Sequence, residues 1–290
     1  MKNSKPLLLA VGILLCLAAV ACGAGADAPT LKIAGIPDQN SSEIARRYEV
    51  LTTYLSSELG VEVEFVPTVN YAATVIGFKQ GGIQLAWFGG LTGVQARKAV
   101  PGSKAIAQRP RDAEFHSKFI VAADSEAGDI RDLKDLTFTF GSESSTSGHL
   151  MPRHFLLKIG IDPDKDFRGP PNYSGSHDKT WKLVESGAFQ AGALNEAVWD
   201  QAVSEGKVDL KKVRELWVTP PYYDYNWTVR GDLDDKFGHG FTDRVQEALL
   251  GINGRHGEIR EMFQTDSFEV SENANYRFIE EIARNLGIIN

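Results

Sequence analysis

The 290-residue sequence predicts an α/β fold of two Rossmann-like halves joined by two crossover strands. Strand-like and helix-like segments alternate over residues 31–99, which indicates βαβ units and a parallel sheet. The same alternation begins again near residue 137. Two longer strand-like segments, residues 115–122 and 225–230, are placed where they could run from one half to the other.

In the first half, the pattern of apolar residues identifies each element. Residues 31–36 are predicted to form a strand that ends at Pro37, and the next apolar residues recur every three or four positions, as on one face of a helix. These helix positions are Ile44, Tyr48, Leu51, Leu55 and Leu59. The segments that follow are a strand at 61–66, a helix at 72–79, a strand at 83–87 and a helix at 91–99.

The second half repeats strand and helix patterns over a similar length. Its segments are a strand at 137–140, a helix at 152–159, a helix at 179–185 and a strand at 188–194. The C-terminal part is mainly helical, and its final helix covers about 274–286. We therefore assign residues 31–122 and 226–290 to a first lobe and residues 123–225 to a second lobe.

The first residues have the composition of an export leader. A basic start precedes an apolar stretch from Leu7 to Val20, which is shorter than a membrane-spanning helix. The segment that ends at Cys22 is similar to the lipid-attachment motif of bacterial lipoproteins. Residues 1–21 are therefore predicted to be a signal peptide, and Cys22 the lipidated first residue of the mature chain. An ordinary signal peptide cut after Ala26 is the alternative.

Cysteine content and charge restrict the class of protein further. The two cysteines, Cys16 and Cys22, both lie in the leader region, so the body of the protein has no disulfide and depends on its packed core. The formal net charge is -7. This charge argues against a nucleic-acid partner, because binding to a phosphate backbone requires a basic surface. A small anion stays possible, since it responds to local dipoles more than to total charge. We expect a monomer.

The sequence contains no motif for a cofactor, a metal or a catalytic centre. Its glycine-containing segments match neither the Walker phosphate loop nor the dinucleotide fingerprint, and they do not match the nucleophile elbow of hydrolases. The six histidines show no zinc-ligand spacing. We therefore predict no cofactor, no metal site and no enzymatic activity.

A loop rich in serine and glycine, residues 141–149, lies between a predicted strand and a predicted helix. Ser145, Thr146 and Ser147 offer three hydroxyls there, and the free N–H groups and the dipole of the helix start favour an anion. Pro152 lacks an N–H and therefore belongs to the first helical turn. The alternative interpretation is an ordinary Ser/Thr helix cap in a flexible loop.

Four further segments lie at predicted strand ends or helix starts. In residues 173–178, His177 is placed to donate to an oxyanion. The other segments are Asn70-Tyr71, Trp87-Phe-Gly-Gly90 and the aromatic run at 220–228. Each could equally be a turn, a cap or ordinary packing. Ligands of open α/β sheets bind at the carboxyl ends of the strands, so together the segments indicate a binding crevice.

With these segments identified, the chain resembles the phosphonate- and phosphite-binding subunits of ABC transporters, which are two-lobed periplasmic binding proteins of type II. The resemblance extends from about Leu31 to the C-terminal helices. Its most specific parts are Ser145-Thr-Ser-Gly148 followed by Pro152, Tyr-Ser-Gly-Ser-His177, and Tyr-Asn-Trp-Thr-Val-Arg230. Some relatives of this family are thought to serve selenate.

The resemblance implies a set of ligand-binding residues. Hydroxyls and helix N–H groups of the Ser-Thr-Ser stretch bind the anion in the family, a Tyr contacts it from the first lobe, and a His contacts it from the second. Phe88 stands where some relatives have Tyr, so a hydroxyl contact is lost there. Asp224 matches an acidic residue before the second crossover strand. The implied set is Tyr71, Phe88, Ser145, Thr146, Ser147, His177 and Asp224.

The resemblance also implies the function. We expect an extracytoplasmic component of an ABC importer, in the periplasm or at the outer face of the cytoplasmic membrane, that delivers a small oxyanion such as phosphonate or phosphite to a permease. Its contact with the membrane would be through the lipid alone. An inward Asp224 carboxylate repels an anion unless a proton lies between them, which favours phosphorus oxyanions over sulfate or selenate. A selenate or other tetrahedral oxyanion binder is one alternative. A ferric-ion binder that uses Tyr222, Tyr223, Asp224 and His177 is another.

Overall fold

The structure is a computed structural model that describes residues 29–290. The predicted signal peptide, residues 1–21, and the predicted lipidation site, Cys22, lie outside the described residues. In chain order the strands are β1 Leu31–Gly35, β2 Val63–Phe65, β3 Leu85–Phe88, β4 Lys104–Gln108, β5 Ser117–Ala122, β6 Phe138–Phe140, β7 Asn172–Tyr173, β8 Ala191–Asn195, β9 Val213–Val218, β10 Asn226–Val229 and β11 Glu269–Val270.

The helices occupy the connections between these strands and most of the C-terminal part. They are α1 Ser41–Leu59, α2 Tyr71–Lys79, α3 Gly90–Ala99, α4 Met151–Lys158, α5 His177–Glu185, α6 Glu196–Ser204, α7 Leu233–Phe237, α8 Phe241–Leu250, α9 Gly257–Phe263 and α10 Arg277–Asn285. A π-helical turn, Thr146–Leu150, precedes α4, so the helix predicted to begin at 152 starts several residues earlier. In the described part of the chain, no helix has the length and apolar character that crossing a membrane requires.

The strands form two separate open sheets, which confirms the predicted two-lobed α/β fold. The first sheet has the order β11-β4-β10-β3-β1-β2, and the second has the order β7-β6-β8-β5-β9. In the first sheet β1 lies parallel between β2 and β3, and in the second β6 lies parallel between β7 and β8. We refer to the units built on these sheets as the first lobe and the second lobe.

The structure corrects the position of the first predicted crossover strand. Residues 117–122 form β5 inside the second sheet, where they pair with β8 on one side and β9 on the other. These residues therefore belong with the second sheet, although the sequence analysis assigned them to the first lobe. The other predicted crossover strand, β10, lies in the first sheet between β3 and β4. An apolar strand pattern shows that a segment is buried but does not show which sheet it joins.

The chain crosses between the sheets in two short stretches, residues 109–116 and 219–225, which we call the crossing segments. They run side by side in opposite directions. Phe115 and Tyr222 exchange backbone N–H···O=C bonds of 2.9 and 3.0 Å, and the Asp224 N–H donates to the carbonyl of a residue in the first segment at 3.0 Å. A short paired connection of this kind suits a hinge between two rigid lobes.

A buried ion pair fixes the shape of the first crossing segment. Arg109 donates to both carboxylate oxygens of Asp112, at 2.8 and 2.7 Å, and to the carbonyl of Phe263 at 3.0 Å. Its guanidinium also lies over the rings of Trp87 and Tyr225. Removing one partner of such a buried pair costs about 3–5 kcal/mol. The pair lies within the crossing segment, and the contacts of Arg109 with Phe263 and Trp87 fasten the segment to the first lobe.

Each lobe has its own hydrophobic core. In the first lobe, Leu51, Leu55 and Leu59 of α1 are buried against the sheet, as their spacing predicts. Burying a leucine side chain contributes about 1.5–3 kcal/mol, so the contacts of these three residues hold α1 against the first lobe. The second sheet is covered by two smaller clusters, one of which includes Phe138 and the other Trp181. The core cluster of the first lobe also includes Leu150, Met151, Phe155 and Ala197 of the second lobe, so apolar contacts cross the boundary between the lobes.

Candidate functional site

The loop predicted to bind an anion lies buried at the boundary between the lobes. Ser145, Thr146 and Ser147 are each at most 2% exposed. The Ser145 Oγ accepts a hydrogen bond of 2.9 Å from the Gly148 N–H, so this serine caps the helix. The Leu150 N–H bonds to the Ser145 carbonyl at 3.0 Å, which gives the first turn its wide π form. Such turns are frequent at functional sites. The cap and the hydroxyl cluster are therefore features of the same loop.

The N-terminus of α3 in the first lobe meets this loop. The Leu91 N–H donates to Thr146 Oγ1 at 3.0 Å, and the Gly90 N–H donates to Asp224 Oδ1 at 2.8 Å. Two helix starts, one from each lobe, thus point at the same place. The first N–H groups of a helix have no acceptor within the helix, and the positive end of the helix dipole lies there, so together the two helix starts favour a negative charge between them.

His177 is buried at the start of α5 and faces the same point. The backbone N–H of Asn195 donates to His177 Nδ1, at a distance of 3.3 Å between the two nitrogens. Burial lowers the pKa of His177 to about 4, so the ring is neutral at neutral pH. A neutral ring that accepts at Nδ1 carries its proton on Nε2. That Nε2 lies 3.4 Å from the Tyr71 hydroxyl, and His177 is thus a neutral donor directed into the site.

Tyr71 reaches the site from the first lobe as the first residue of α2. The Asn70 Oδ1 accepts from the Ala73 N–H at 2.8 Å and caps this helix. The Tyr71 hydroxyl lies near both His177 and Ser145, which belong to the second lobe. Burial raises the pKa of Tyr71 well above its ordinary value, so the phenol keeps its proton and remains a donor.

Asp224 on the second crossing segment completes the cluster. Its Oδ1 accepts from the Gly90 N–H, whereas its Oδ2 is buried with no hydrogen-bond partner among residues 29–290. Burial raises the pKa of Asp224 to about 7, in spite of the opposing effects of the Gly90 N–H and of the hydroxyls of Thr146 and Ser147. A carboxyl group that titrates near neutrality can hold a proton or share one with a ligand.

Phe88 differs from the other predicted site residues. Its ring is buried in the core of the first lobe, where it packs edge-on against Phe78 of α2 at a centroid distance of 5.5 Å. The structure thus brings together six of the predicted residues that it describes, Tyr71, Ser145, Thr146, Ser147, His177 and Asp224, and places Phe88 beside them in the core. A ligand-binding role for each of the seven remains a prediction.

A chain of hydrogen bonds that was not predicted from the sequence lies beside this cluster. Asn195 Nδ2 donates to the Tyr225 hydroxyl at 3.0 Å, and that hydroxyl donates to Asp38 Oδ2 at 2.8 Å. The His177 N–H also donates to the Asp38 carbonyl at 3.0 Å. Asp38 belongs to the first lobe and Asn195 to the second, so the chain joins the lobes. A signal was available, since Asp38 and Asn195 both lie at the carboxyl end of a strand.

The arrangement argues against a catalytic pair formed by Ser147 and the nearby His149. His149 donates from Nδ1 to the Glu143 carbonyl at 2.7 Å, and its Nε2 lies 3.0 Å from the Arg153 Nε, which donates to it. Burial lowers the pKa of His149 to about 4. Its basic nitrogen is therefore occupied, and it is not placed to activate the neighbouring Ser147 as a nucleophile.

The ferric alternative is disfavoured as well. The Tyr222 hydroxyl lies 2.6 Å from Ser117 Oγ, and the ring of Tyr223 packs against Tyr276. The two phenols thus have separate partners. Over residues 29–290, no group of three or more His, Cys, Asp or Glu side chains could hold a metal ion.

Comparison with known proteins bears on the family and the fold of the chain. A family model described as the periplasmic phosphonate substrate-binding protein of an ABC transporter matches residues 33–276. A probable ABC transporter phosphite-binding protein, PhnD1 of Prochlorococcus marinus, is 44% identical over 269 residues, which cover 89% of this chain and 90% of that protein.

Solved structures give the same result. The structure of PhnD1 from Prochlorococcus marinus in complex with methylphosphonate superposes with a TM-score of 0.87 at 43% identity, over 90% of this chain and 99% of that chain. A binding protein component of an ABC phosphonate transporter from Pseudomonas aeruginosa has a TM-score of 0.78 at 20% identity, over 88% and 86% of the two chains. The second likeness bears on the fold alone.

Proposed function

Because the chain belongs to the family of periplasmic phosphonate-binding proteins of ABC transporters, we propose that it captures a small, singly protonated phosphorus oxyanion between its lobes and delivers it to a permease. Phosphite and methylphosphonate are the ligands that we expect to bind best. The relative from Prochlorococcus marinus is named as a probable phosphite-binding protein, and its solved structure is a complex with methylphosphonate. Both facts support this choice of ligands.

One observation carries the proposal: neutral donors from both lobes converge around the free Oδ2 of Asp224. We assign Ser145, Thr146 and Ser147 to the anion from the second lobe, together with His177, and Tyr71 from the first lobe. Each hydrogen bond to a charged group contributes about 1.5–3 kcal/mol. Five such bonds, reduced by desolvation and by the cost of closing the lobes, correspond to dissociation constants of roughly micromolar to nanomolar.

Asp224 is proposed to select the ligand by its protonation state. A buried carboxylate oxygen beside an oxyanion is repulsive unless a proton lies between them. Phosphite and phosphonates carry that proton near neutral pH, whereas sulfate and selenate do not. The unpartnered Oδ2 is therefore a suitable acceptor for the ligand's own hydroxyl. Where Asp224 is ionised, above a pH of about 7, this disfavours the alternative that the natural ligand is selenate or another fully deprotonated oxyanion.

Calorimetry on the purified protein tests the proposal directly. Phosphite and methylphosphonate are expected to bind at least about tenfold more tightly than sulfate and selenate at neutral pH. Ser147→Ala should weaken phosphite binding by roughly tenfold, since it removes one charge-assisted bond. Ser144→Ala in the same loop is the matched control and should bind like the wild type. Equal affinities for phosphite and sulfate would overturn the assignment to phosphorus ligands, and tighter selenate binding would favour the alternative.

We also propose that the mature protein is a monomer attached to the outer face of the cytoplasmic membrane through a lipid on Cys22. The motif that ends at this residue supports the attachment. The intact mass of protein extracted from membranes should equal that of a chain that begins at Cys22 plus its acyl groups. An unmodified chain that begins at Asp27 would support the ordinary signal peptide instead.

A further inference from the structure

Gly89 lies between Thr146 and Asp224 at the boundary of the lobes, beside the proposed site. It is the last residue before α3 and has φ −74° and ψ 166°, an extended conformation open to any residue. Its backbone conformation therefore does not require glycine. A Cβ placed on Gly89 would lie 3.1 Å from Asp224 Oδ1 and 3.2 Å from Thr146 Oγ1. The missing side chain is thus what lets Thr146 and Asp224 reach the first N–H groups of α3.

The contact with α3 determines where the Thr146 proton points. Because Thr146 Oγ1 accepts from the Leu91 N–H at 3.0 Å, its own hydrogen must be directed elsewhere. The Asp224 carboxyl, whose pKa responds to this hydroxyl, lies on that side of the threonine. Its buried Oδ2 has no partner among the described residues and can accept a hydrogen bond, so it marks the place where a hydroxyl of the ligand would lie within reach of Thr146.

We propose that the open N-terminus of α3, kept accessible by Gly89, is a positioning element that engages Thr146 only when the lobes close and thereby aims the threonine hydroxyl at the bound oxyanion. This inference rests on the proposed function and deepens it. Thr146 belongs to the second lobe and Leu91 to the first, so their hydrogen bond exists only in the closed arrangement. Gly89 then determines how completely the lobes close over the ligand.

The neighbours of Gly89 have little freedom to move away from an added methyl group. The Asp224 carboxyl is held by the Gly90 N–H, and its backbone N–H is bound to the Asp112 carbonyl. Thr146 lies in the buried first turn before α4, which the Ser145 hydroxyl caps. A Cβ at 3.1–3.2 Å from both side chains therefore works against closure, while leaving each separate lobe intact.

The test is Gly89→Ala, with Gly257→Ala as the matched control. A Cβ on Gly257, at the start of α9, would have nothing within 4 Å. Using phosphite as the probe, we expect Gly89→Ala to weaken binding by about tenfold or more, mainly through faster dissociation, and Gly257→Ala to bind like the wild type. The ligand-free melting temperature of Gly89→Ala should stay within a few degrees of the wild type. The decrease in radius of gyration on saturation with phosphite should be smaller than in the wild type.

A double-mutant cycle separates a positioning role from a merely structural one. If Gly89 acts through Thr146, the loss caused by Gly89→Ala should be clearly smaller in a Thr146→Ala background than in the wild type. Wild-type affinity and full compaction in Gly89→Ala, or equal losses in both backgrounds, would overturn the inference. Failure of the wild-type protein to bind any phosphorus oxyanion is a different result and would refute the proposed function itself.

Discussion

At the scale of single residues, the protonation of Asp224 explains how a site without a basic side chain among its proposed ligands could hold an anion selectively. Its pKa is raised to about 7 by burial, from an ordinary value of 3.8. Between about pH 4 and pH 7, Asp224 is therefore protonated in the closed form, whereas an exposed Asp224 would be ionised. Protonation of Asp224 therefore stabilises the closed form at the acidic end of this pH range, and this stabilisation is lost as the pH rises through 7.

Asp224→Asn should remove this dependence on pH. An amide needs no shared proton, so the preference for phosphite over sulfate should fall by about tenfold or more, and the loss of phosphite affinity between pH 6 and pH 8.5 should become shallower. Calorimetry over this range measures both effects. Asp232→Asn is a suitable control, because Asp232 pairs with Arg230 away from the site. An unchanged pH profile in Asp224→Asn would show that the proton lies elsewhere.

Most of the candidate site could be predicted from residue type and position. Ser145, Thr146 and Ser147 stand out as three consecutive hydroxyls before a helix, and His177 follows a turn-rich loop. The tautomer of His177 could not be predicted, because it depends on a backbone N–H of Asn195 that is distant in sequence. The role of Asp38 was missed for the same reason, since its partner Tyr225 lies at the other end of the chain.

At the scale of elements, helices with a clear apolar period were easier to predict than the partners of strands. The apolar face of α1 is buried as the spacing of its residues predicts. The hydrogen bonds of a helix are local, and an apolar residue at every third or fourth position indicates one buried face. The strand β5 was assigned to the wrong sheet, because strand pairing is set by contacts with β8 and β9 that are distant in sequence. The crossing segments are short, and the first contains only a single 3₁₀ turn at Pro110–Ala113, so no periodic pattern marks them.

The start of α4 is also set by individual hydrogen bonds that a sequence pattern does not report. Pro152 correctly indicates the first α-helical turn, yet the π turn from Thr146 to Leu150 comes before it. That turn arises from the bond between the Leu150 N–H and the Ser145 carbonyl and from the Ser145 cap, which no sequence period reports. It widens the helix start just where three hydroxyls converge, so the departure from regular structure coincides with the proposed site.

At the scale of the whole molecule, closure depends on contacts between the lobes that need not touch the ligand. The chain Asn195–Tyr225–Asp38 passes from the second lobe through a crossing segment to the first, and the His177 N–H adds a bond to the Asp38 carbonyl. Hydrogen bonds that form only on closure lower the free energy of the closed form relative to the open form. They therefore increase ligand affinity through the closing equilibrium.

Tyr225→Phe tests this contribution of the lobe contacts. The change removes one donor to Asp38 and one acceptor for Asn195, and leaving such buried groups unpaired costs about 1–3 kcal/mol in the closed form. Phosphite affinity should therefore fall by roughly tenfold, mainly through faster dissociation in stopped-flow measurements. Tyr54→Phe is the matched control, because the Tyr54 hydroxyl donates to the Ala248 carbonyl at 2.7 Å inside the first lobe. That variant should lose some stability and keep its affinity. If both variants bind phosphite like the wild type, the closing free energy comes from the ligand contacts, and the chain through Tyr225 only lines the boundary between the lobes.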